Sequence, residues 1–243
     1  VDRYPAEHRP PSSLEVARLR DARIVWLLSD HPVTASQLSS LGWFPSRAKA
    51  QTRLRKLARR GRIHLVGTLS RRGGRPEHVY CRWRPQPLQH EVELTDVCLQ
   101  LNATEVRRGP SVRDRFVLPD AEVVIAGETY YLELDRGTMS HAQMARRFRL
   151  YEEVPHLSLW VCSTAERRDA LRAGAARLRS TALFATLDDV RVAPCGAVWV
   201  DVRGNAVSLH HREFPNQEAA SGAEDMALLP PSLAPKISTT SSR

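Results

Sequence analysis

The positive charge of this chain is confined to one end. Residues 1–86 carry 18 Lys+Arg against 6 Asp+Glu, a net of +12, whereas residues 87–243 carry 18 against 21, a net of −3. A step of that size predicts two modules with different tasks, the basic one bearing the electrostatic footprint of nucleic-acid binding. At 243 residues the chain has room for both, and 42% hydrophobic with 26% charged residues excludes wholesale disorder. The basic residues are almost all arginine, since lysine occurs only at positions 49, 56 and 236.

Other classes drop out on residue spacing. Cys81, Cys98, Cys162 and Cys195 form no C-x-x-C pair and stand in no Cys/His cluster, so neither a zinc site nor a disulfide framework is expected. Apolar runs such as Ala121 to Ala126, interrupted by Glu122, are far shorter than the ~18 residues of a membrane span. Residues 1–13, an N-terminal arm, are polar and proline-rich without the apolar core of a signal peptide. A cytoplasmic protein with no membrane partner is the expectation.

Within the basic third, residues 14–84, apolar positions Leu14, Ala17, Ile24, Leu27 and Leu28 follow a helical period and His31-Pro32 ends it. Thr34 is placed to cap a short helix stopped by Gly42, and Pro45-Ser46 introduces a third, Arg47 to Arg60, closed by Gly61. Two strands, Ile63–Leu69 and His78–Trp83, flank a turn-rich SRRGGRPE. Helix, helix, helix and hairpin is the order of a winged helix-turn-helix. On the third helix Ala50, Leu54, Leu57 and Ala58 share one face, and Lys49, Thr52, Arg55, Lys56 and Arg59 lie roughly opposite. That basic face is the candidate duplex-DNA surface, with Arg71, Arg72 and Arg75 of the hairpin tip adding phosphate or minor-groove contacts.

Arg84 to Leu88, with two prolines, reads as a linker to a second domain over residues 88–212. There a helix is expected at Gln89–Ala103, strands at Phe116–Leu118, Asp120–Ala126 and Thr129–Asp135, and a helix at Ala142–Glu153. A strand follows at His156–Cys162, a helix at Ala165–Arg179, and strands at Ala182–Val192 and Ala197–Val202. The fold class is therefore α/β (α+β), a winged helix followed by a mixed sheet flanked by helices. Residues 213–243, rich in Ser, Ala and Pro, read as a disordered tail.

Chemistry in this domain gathers at the hairpin around Gly127. With Ala126-Gly127 as the turn Asp120 faces Glu133, and with Gly127-Glu128 it faces Asp135. Glu133 and Asp135 share a face, and cross-strand Cβ atoms lie ~5 Å apart. Three such charges need a cation, an arginine or a proton between them. Hard oxygen ligands suit Mg²⁺ or Mn²⁺, so Asp120, Glu133 and Asp135 are the candidate catalytic and metal-binding residues, with Glu91, Glu93 or Asp96 of the preceding helix as further acids. His141, His210 and His211 lack a second ligand at i+4, Trp160 and Trp199 read as core, and Ser140 and Cys162 stand in no nucleophile–base arrangement.

Pro119-Asp120, then Glu133 two residues before a third position, then a helix and a strand, resembles the P-D…(D/E)-x-K nuclease superfamily, which implies a restriction-endonuclease-like fold. Joined to an N-terminal winged helix, His90-Glu91…Asp96, Pro119-Asp120-Ala121 and Leu132 to Thr138 (LELDRGT) are similar to the replication-relaxation family of plasmids and mobile elements of Gram-positive bacteria. The resemblance spans about residues 14–200 and implies a double-stranded-DNA-binding protein acting in replication, relaxation or mobilisation, with plasmid replication or mobilisation proteins as partners. The superfamily's lysine position is Asp135 here, and no lysine lies between Lys56 and Lys236. Arg136, Arg146 or Arg147 offsets phosphate charge without serving as a base, and Gln143 and Tyr151 resemble polar residues that some nucleases place near the metal. Two alternatives stay open: a metal-dependent DNA nicking or cleaving enzyme using the three carboxylates, and a winged-helix transcriptional regulator.

Overall fold

A computed structural model describes residues 12–70, 75–109, 117–154, 156–177 and 182–209. The tail expected at 213–243, most of the N-terminal arm, and Arg71 and Arg72 lie outside the described residues. The chain is a mixed α and β protein that divides into two compact units, Val1–Val92 and Glu93–Arg243. Among the described residues no helix is long and apolar enough to cross a membrane.

The first unit opens with α1 (Ser13–Asp30), capped by Ser12 and Glu15 in a reciprocal capping box, which satisfies two amide donors at the helix start. A two-residue strand β1 (Val33–Thr34) leads into α2 (Ala35–Ser40), capped by Thr34 as its position before the apolar run predicts. Helix α3 (Arg47–Arg59) starts at the Ser46 cap and buries Ala50, Leu54 and Leu57. Complete burial of a leucine is worth about 1.5–3 kcal/mol, so this stripe fixes which face of α3 remains outside. Strands β2 (His64–Leu69) and β3 (Glu77–Cys81) form a hairpin, and β1 joins it in the order β1-β3-β2. β1 escapes sequence reading because two residues carry no period.

Helix α4 (Leu88–Gln100) begins at the expected linker, and the boundary between the units falls within it. The second unit is built on a seven-stranded sheet of order β10-β9-β8-β7-β6-β5-β4. Its strands are β4 (Glu105–Arg108), β5 (Ala121–Ile125), β6 (Glu128–Asp135), β7 (Leu157–Cys162), β8 (Ala182–Thr186), β9 (Trp199–Asp201) and β10 (Ala206–Val207). β4, β5 and β6 form an antiparallel meander, β6, β7 and β8 run parallel, and β9 and β10 return antiparallel. The parallel crossovers are α5 (His141–Tyr151) and α6 (Ala165–Arg177), and α7 (Leu187–Val192) follows β8. Residues of α4 and α7 pack with Leu132, Leu134 and Leu159. Those of α5 and α6 pack with Tyr131, Trp160 and Phe184, so the helices cover both faces.

Two sequence expectations need correction. The meander opens at β4, not at Phe116–Leu118: Val117 and Leu118 belong to no strand, and Phe116 lies outside the described residues. Ala182–Val192 is a strand only as far as Thr186, whose hydroxyl accepts from the Asp189 amide and starts α7.

Candidate nucleic-acid interface and carboxylate centre

With Ala50, Leu54 and Leu57 turned inward, Lys49, Thr52, Arg55, Lys56 and Arg59 are all exposed along one side of α3. The Thr52 hydroxyl donates to the Ala48 carbonyl at 2.9 Å. The remaining polar residues of the helix fasten it. The Arg53 guanidinium donates to both carboxylate oxygens of Asp21 on α1, and Gln51 Nε2 donates to the Tyr80 hydroxyl on β3 at 2.7 Å. Glu77, 2% exposed on β3, accepts from the Ser36 amide at 3.0 Å and faces Arg47 Nε at 3.4 Å. One buried carboxylate thus ties the starts of α2 and α3 to the hairpin. Arg75 is exposed, as are Arg60, Arg62 and His64, which extend the basic surface beyond the expected residues. Their signal was a basic run continuing through the Gly61 stop.

In the second unit the hairpin turn is Ala126-Gly127, since Ile125 pairs with Glu128. Both turn residues have positive φ (51° and 89°), as a type I′ turn requires, and glycine relieves the strain at the second. Extended one residue past the Ala121–Leu132 pair, this register sets Asp120 opposite Glu133, not opposite Asp135. β6 is buried along Tyr130 to Asp135, with Glu133 1% and Asp135 2% exposed.

Each carboxylate has protein partners. Asp120 Oδ2 accepts from the Leu134 amide at 2.8 Å. Glu133 Oε1 accepts from Arg147 Nε at 3.0 Å, from Arg147 Nη2 at 2.6 Å and from the Tyr151 hydroxyl. Arg147 and Tyr151 stand at i, i+4 on α5 and so share a face. Arg147 Nη2 also donates to the Leu118 carbonyl at 3.0 Å. Asp135 is gripped by Arg167 of α6, whose Nε lies at 2.5 Å from Oδ2 and Nη2 at 3.2 Å from Oδ1, and it accepts from the Gly137 amide at 3.2 Å. Glu93 pairs with Arg136 at 3.0 Å, and Glu91 with His90 at 3.6 Å. Gln143 belongs to the capping box of α5 with Ser140, and Arg146 is exposed.

The electrostatics follow from this packing. Burial, followed by the charge of Asp120, pushes the Glu133 carboxyl up to about 8 against the downward pull of Arg147 and Tyr151. Tyr151 is raised by its own burial and then by Glu133. Burial disfavours the Arg147 cation, but Glu133, Tyr151 and Asp120 together outweigh that and raise it. Arg167 is raised first by its hydrogen bond to Asp135.

The Mg²⁺ or Mn²⁺ site expected of Asp120, Glu133 and Asp135 does not fit these donors. Among the described residues no group of three His, Cys, Asp or Glu is placed to hold a metal ion. Arg147 and Arg167 lie against Glu133 and Asp135 instead, and Arg167 is the partner that sequence reasoning missed because it stands 32 residues from Asp135. Millimolar Mg²⁺ or Mn²⁺ is accordingly expected to leave the thermal unfolding midpoint of the chain unchanged. A stabilising shift that vanishes in Asp120→Asn/Glu133→Gln would show that the carboxylates take up a cation after all. No family model, curated protein or solved structure matches the chain.

Proposed function

We propose that this chain binds duplex DNA through its first unit, a winged helix, in the service of replication, relaxation or mobilisation of a plasmid or other mobile element. In this reading the second unit is a nuclease-like fold whose carboxylates are neutralised from within. The observation that carries it is the exposed row Lys49, Thr52, Arg55, Lys56 and Arg59 on a helix fastened by Arg53, Gln51 and the Glu77 bridge. Such a row offers four cations to phosphates while the clamps hold its orientation. The second half of the reading is supported by Asp120 ahead of β5 and Glu133 within β6 of an antiparallel meander, followed by α5 and the parallel strand β7. That is the order called for by the resemblance to P-D…(D/E)-x-K nucleases. Asp135, held by Arg167, stands where those enzymes carry lysine, and it offers no cation to the phosphate.

The test is the salt dependence of binding by the full chain, read by fluorescence anisotropy on a labelled duplex. Each phosphate contact contributes about −0.9 to the log–log slope, so Arg55→Ala/Arg59→Ala should weaken binding and flatten the slope by about 1.8. An unchanged slope in a folded double variant would remove this helix face from the interface.

A further inference from the structure

Helix α1 has two faces, and one of them is fully buried. Ile24, Leu27 and Leu28 are buried, and Asp21 receives the Arg53 fork. Turned away from that side is a stripe of Val16, Leu19, Arg23 and Trp26, in which Val16, Leu19 and Trp26 are 39%, 62% and 39% exposed. The spacing 3, 4, 3 is the a/d pattern of a helix–helix seam, and over 18 residues the helix is ~27 Å long. Leu19 is mostly open to solvent, and Val16 and Trp26, though partly covered, still present apolar surface on this side of a well-capped helix. Together they supply the apolar centre that an interface requires.

Charge indicates what covers the stripe. Glu15 flanks the stripe one turn before Leu19, and Arg23, within it, stands one turn after. Two α1 helices related by a two-fold axis at Leu19 run antiparallel, so each Glu15 faces the other copy's Arg23 and the two Leu19 side chains meet at the axis. Val16 then faces Ala22, itself exposed and small enough to admit it, and Trp26 lies over the other copy's Ser12 at the helix start. The stripe is therefore complementary to itself in charge and in size, which an isologous interface demands and a generic apolar partner does not.

We infer that α1 is a homodimer interface, in which the Val16/Leu19/Arg23/Trp26 face packs antiparallel against the same face of a second copy. The stripe between Val16 and Trp26 is only ~15 Å long, which sets the contact at the small end of protein interfaces and makes the dimer weak and concentration-dependent. This inference does not rest on DNA binding. Where both hold, dimerisation would present two copies of α3 to one duplex, the arrangement that reads paired half-sites.

Sedimentation equilibrium of the full chain without DNA tests it. The expected result is a reversible monomer–dimer equilibrium with a dissociation constant in the micromolar range. Leu19→Asp, at a position already open to solvent, should give monomers at every concentration reached. Arg23→Glu opposes Glu15 at both symmetry-related contacts and should weaken the dimer about tenfold. Glu15→Gln/Arg23→Glu removes the repulsion while keeping the side-chain acceptor of the Ser12 capping box, and should recover part of the loss. Circular dichroism on each variant confirms that α1 remains helical, and Trp26→Ser serves as the second seam variant should Leu19→Asp lose helix. A wild-type chain that stays monomeric, or a dimer indifferent to Leu19, Trp26 and the charge changes, would overturn the proposal. The first outcome would also leave the stripe to a segment of the same chain or to a different protein.

Discussion

Replacing Arg147 by alanine is expected to cost the second unit about 3–5 kcal/mol at pH 9, where Glu133 is ionised. The size of that loss comes from what remains. Glu133 is 1% exposed, and two of the three donors on its Oε1 belong to Arg147. Without the guanidinium a buried carboxylate faces Asp120 with only the Tyr151 hydroxyl to answer it, and the Leu118 carbonyl loses its donor as well. Removing one partner of a buried pair is costlier than never having had the pair, because the surviving charge keeps its desolvation. Arg147→Lys should recover only part of the loss, since an ammonium on a flexible stem cannot reproduce the fork that spans Glu133 and Leu118. Native-state hydrogen exchange in peptides from β6 and α5 of the full chain reads the effect locally. A change below about 1 kcal/mol at pH 9 would mean that Glu133 holds a proton there and is indifferent to its neighbour.

The second expectation concerns pH. Glu133 titrates near 8 in the folded chain, above the 4.5 of a free glutamate. The folded state therefore holds this proton more tightly than the unfolded state does. A shift in that direction contributes stability that is fully present below about 4.5 and is lost as pH rises through 8. The whole contribution is at most about 5 kcal/mol, and less where local opening lets water reach the carboxylate. Glu133→Gln preserves an acceptor for Arg147 and Tyr151 while removing the titration. Relative to this variant, the wild type should lose several kcal/mol between pH 5 and pH 9 in urea unfolding. Parallel curves for the two proteins would show that Glu133 is ionised throughout and that Arg147, not a proton, satisfies it.

The arrangement of α3 was legible in sequence because its determinants are local. Ala50, Leu54 and Leu57 set the buried side within four turns, and Ser46 and Gly61 bracket the helix. β4 was not legible for the same reason: Glu105, Arg107 and Arg108 give an edge strand no apolar alternation, while Phe116–Leu118 looked more like a strand than it is. The break at Thr186 was present as a capping signal, T-x-x-D, but the apolar run on both sides of it disguised the change of period. The hairpin register stayed open because both turns place Gly127 where positive φ is needed. The carboxylates themselves were found from their two-residue spacing. Their partners Arg147 and Arg167 lie 14 and 32 residues away on crossover helices, and no local pattern reports which arginine of many returns to the sheet.

β6 belongs to two kinds of pairing at once, antiparallel to β5 across a two-residue turn and parallel to β7 across a helical crossover. Those pairings differ in how much chain must be gathered before they form. The hairpin closes over a handful of residues, whereas the parallel pair requires α5 to fold and dock first. As the chain is synthesised, Glu133 enters the hairpin before Arg147 and Tyr151 exist to receive it. Its carboxylate therefore stays in water, ionised and harmless, until α5 arrives carrying both partners at i, i+4. Burial against α5 then lifts the carboxyl to about 8, so that at neutral pH the docking of one helix and the uptake of one proton become a single event.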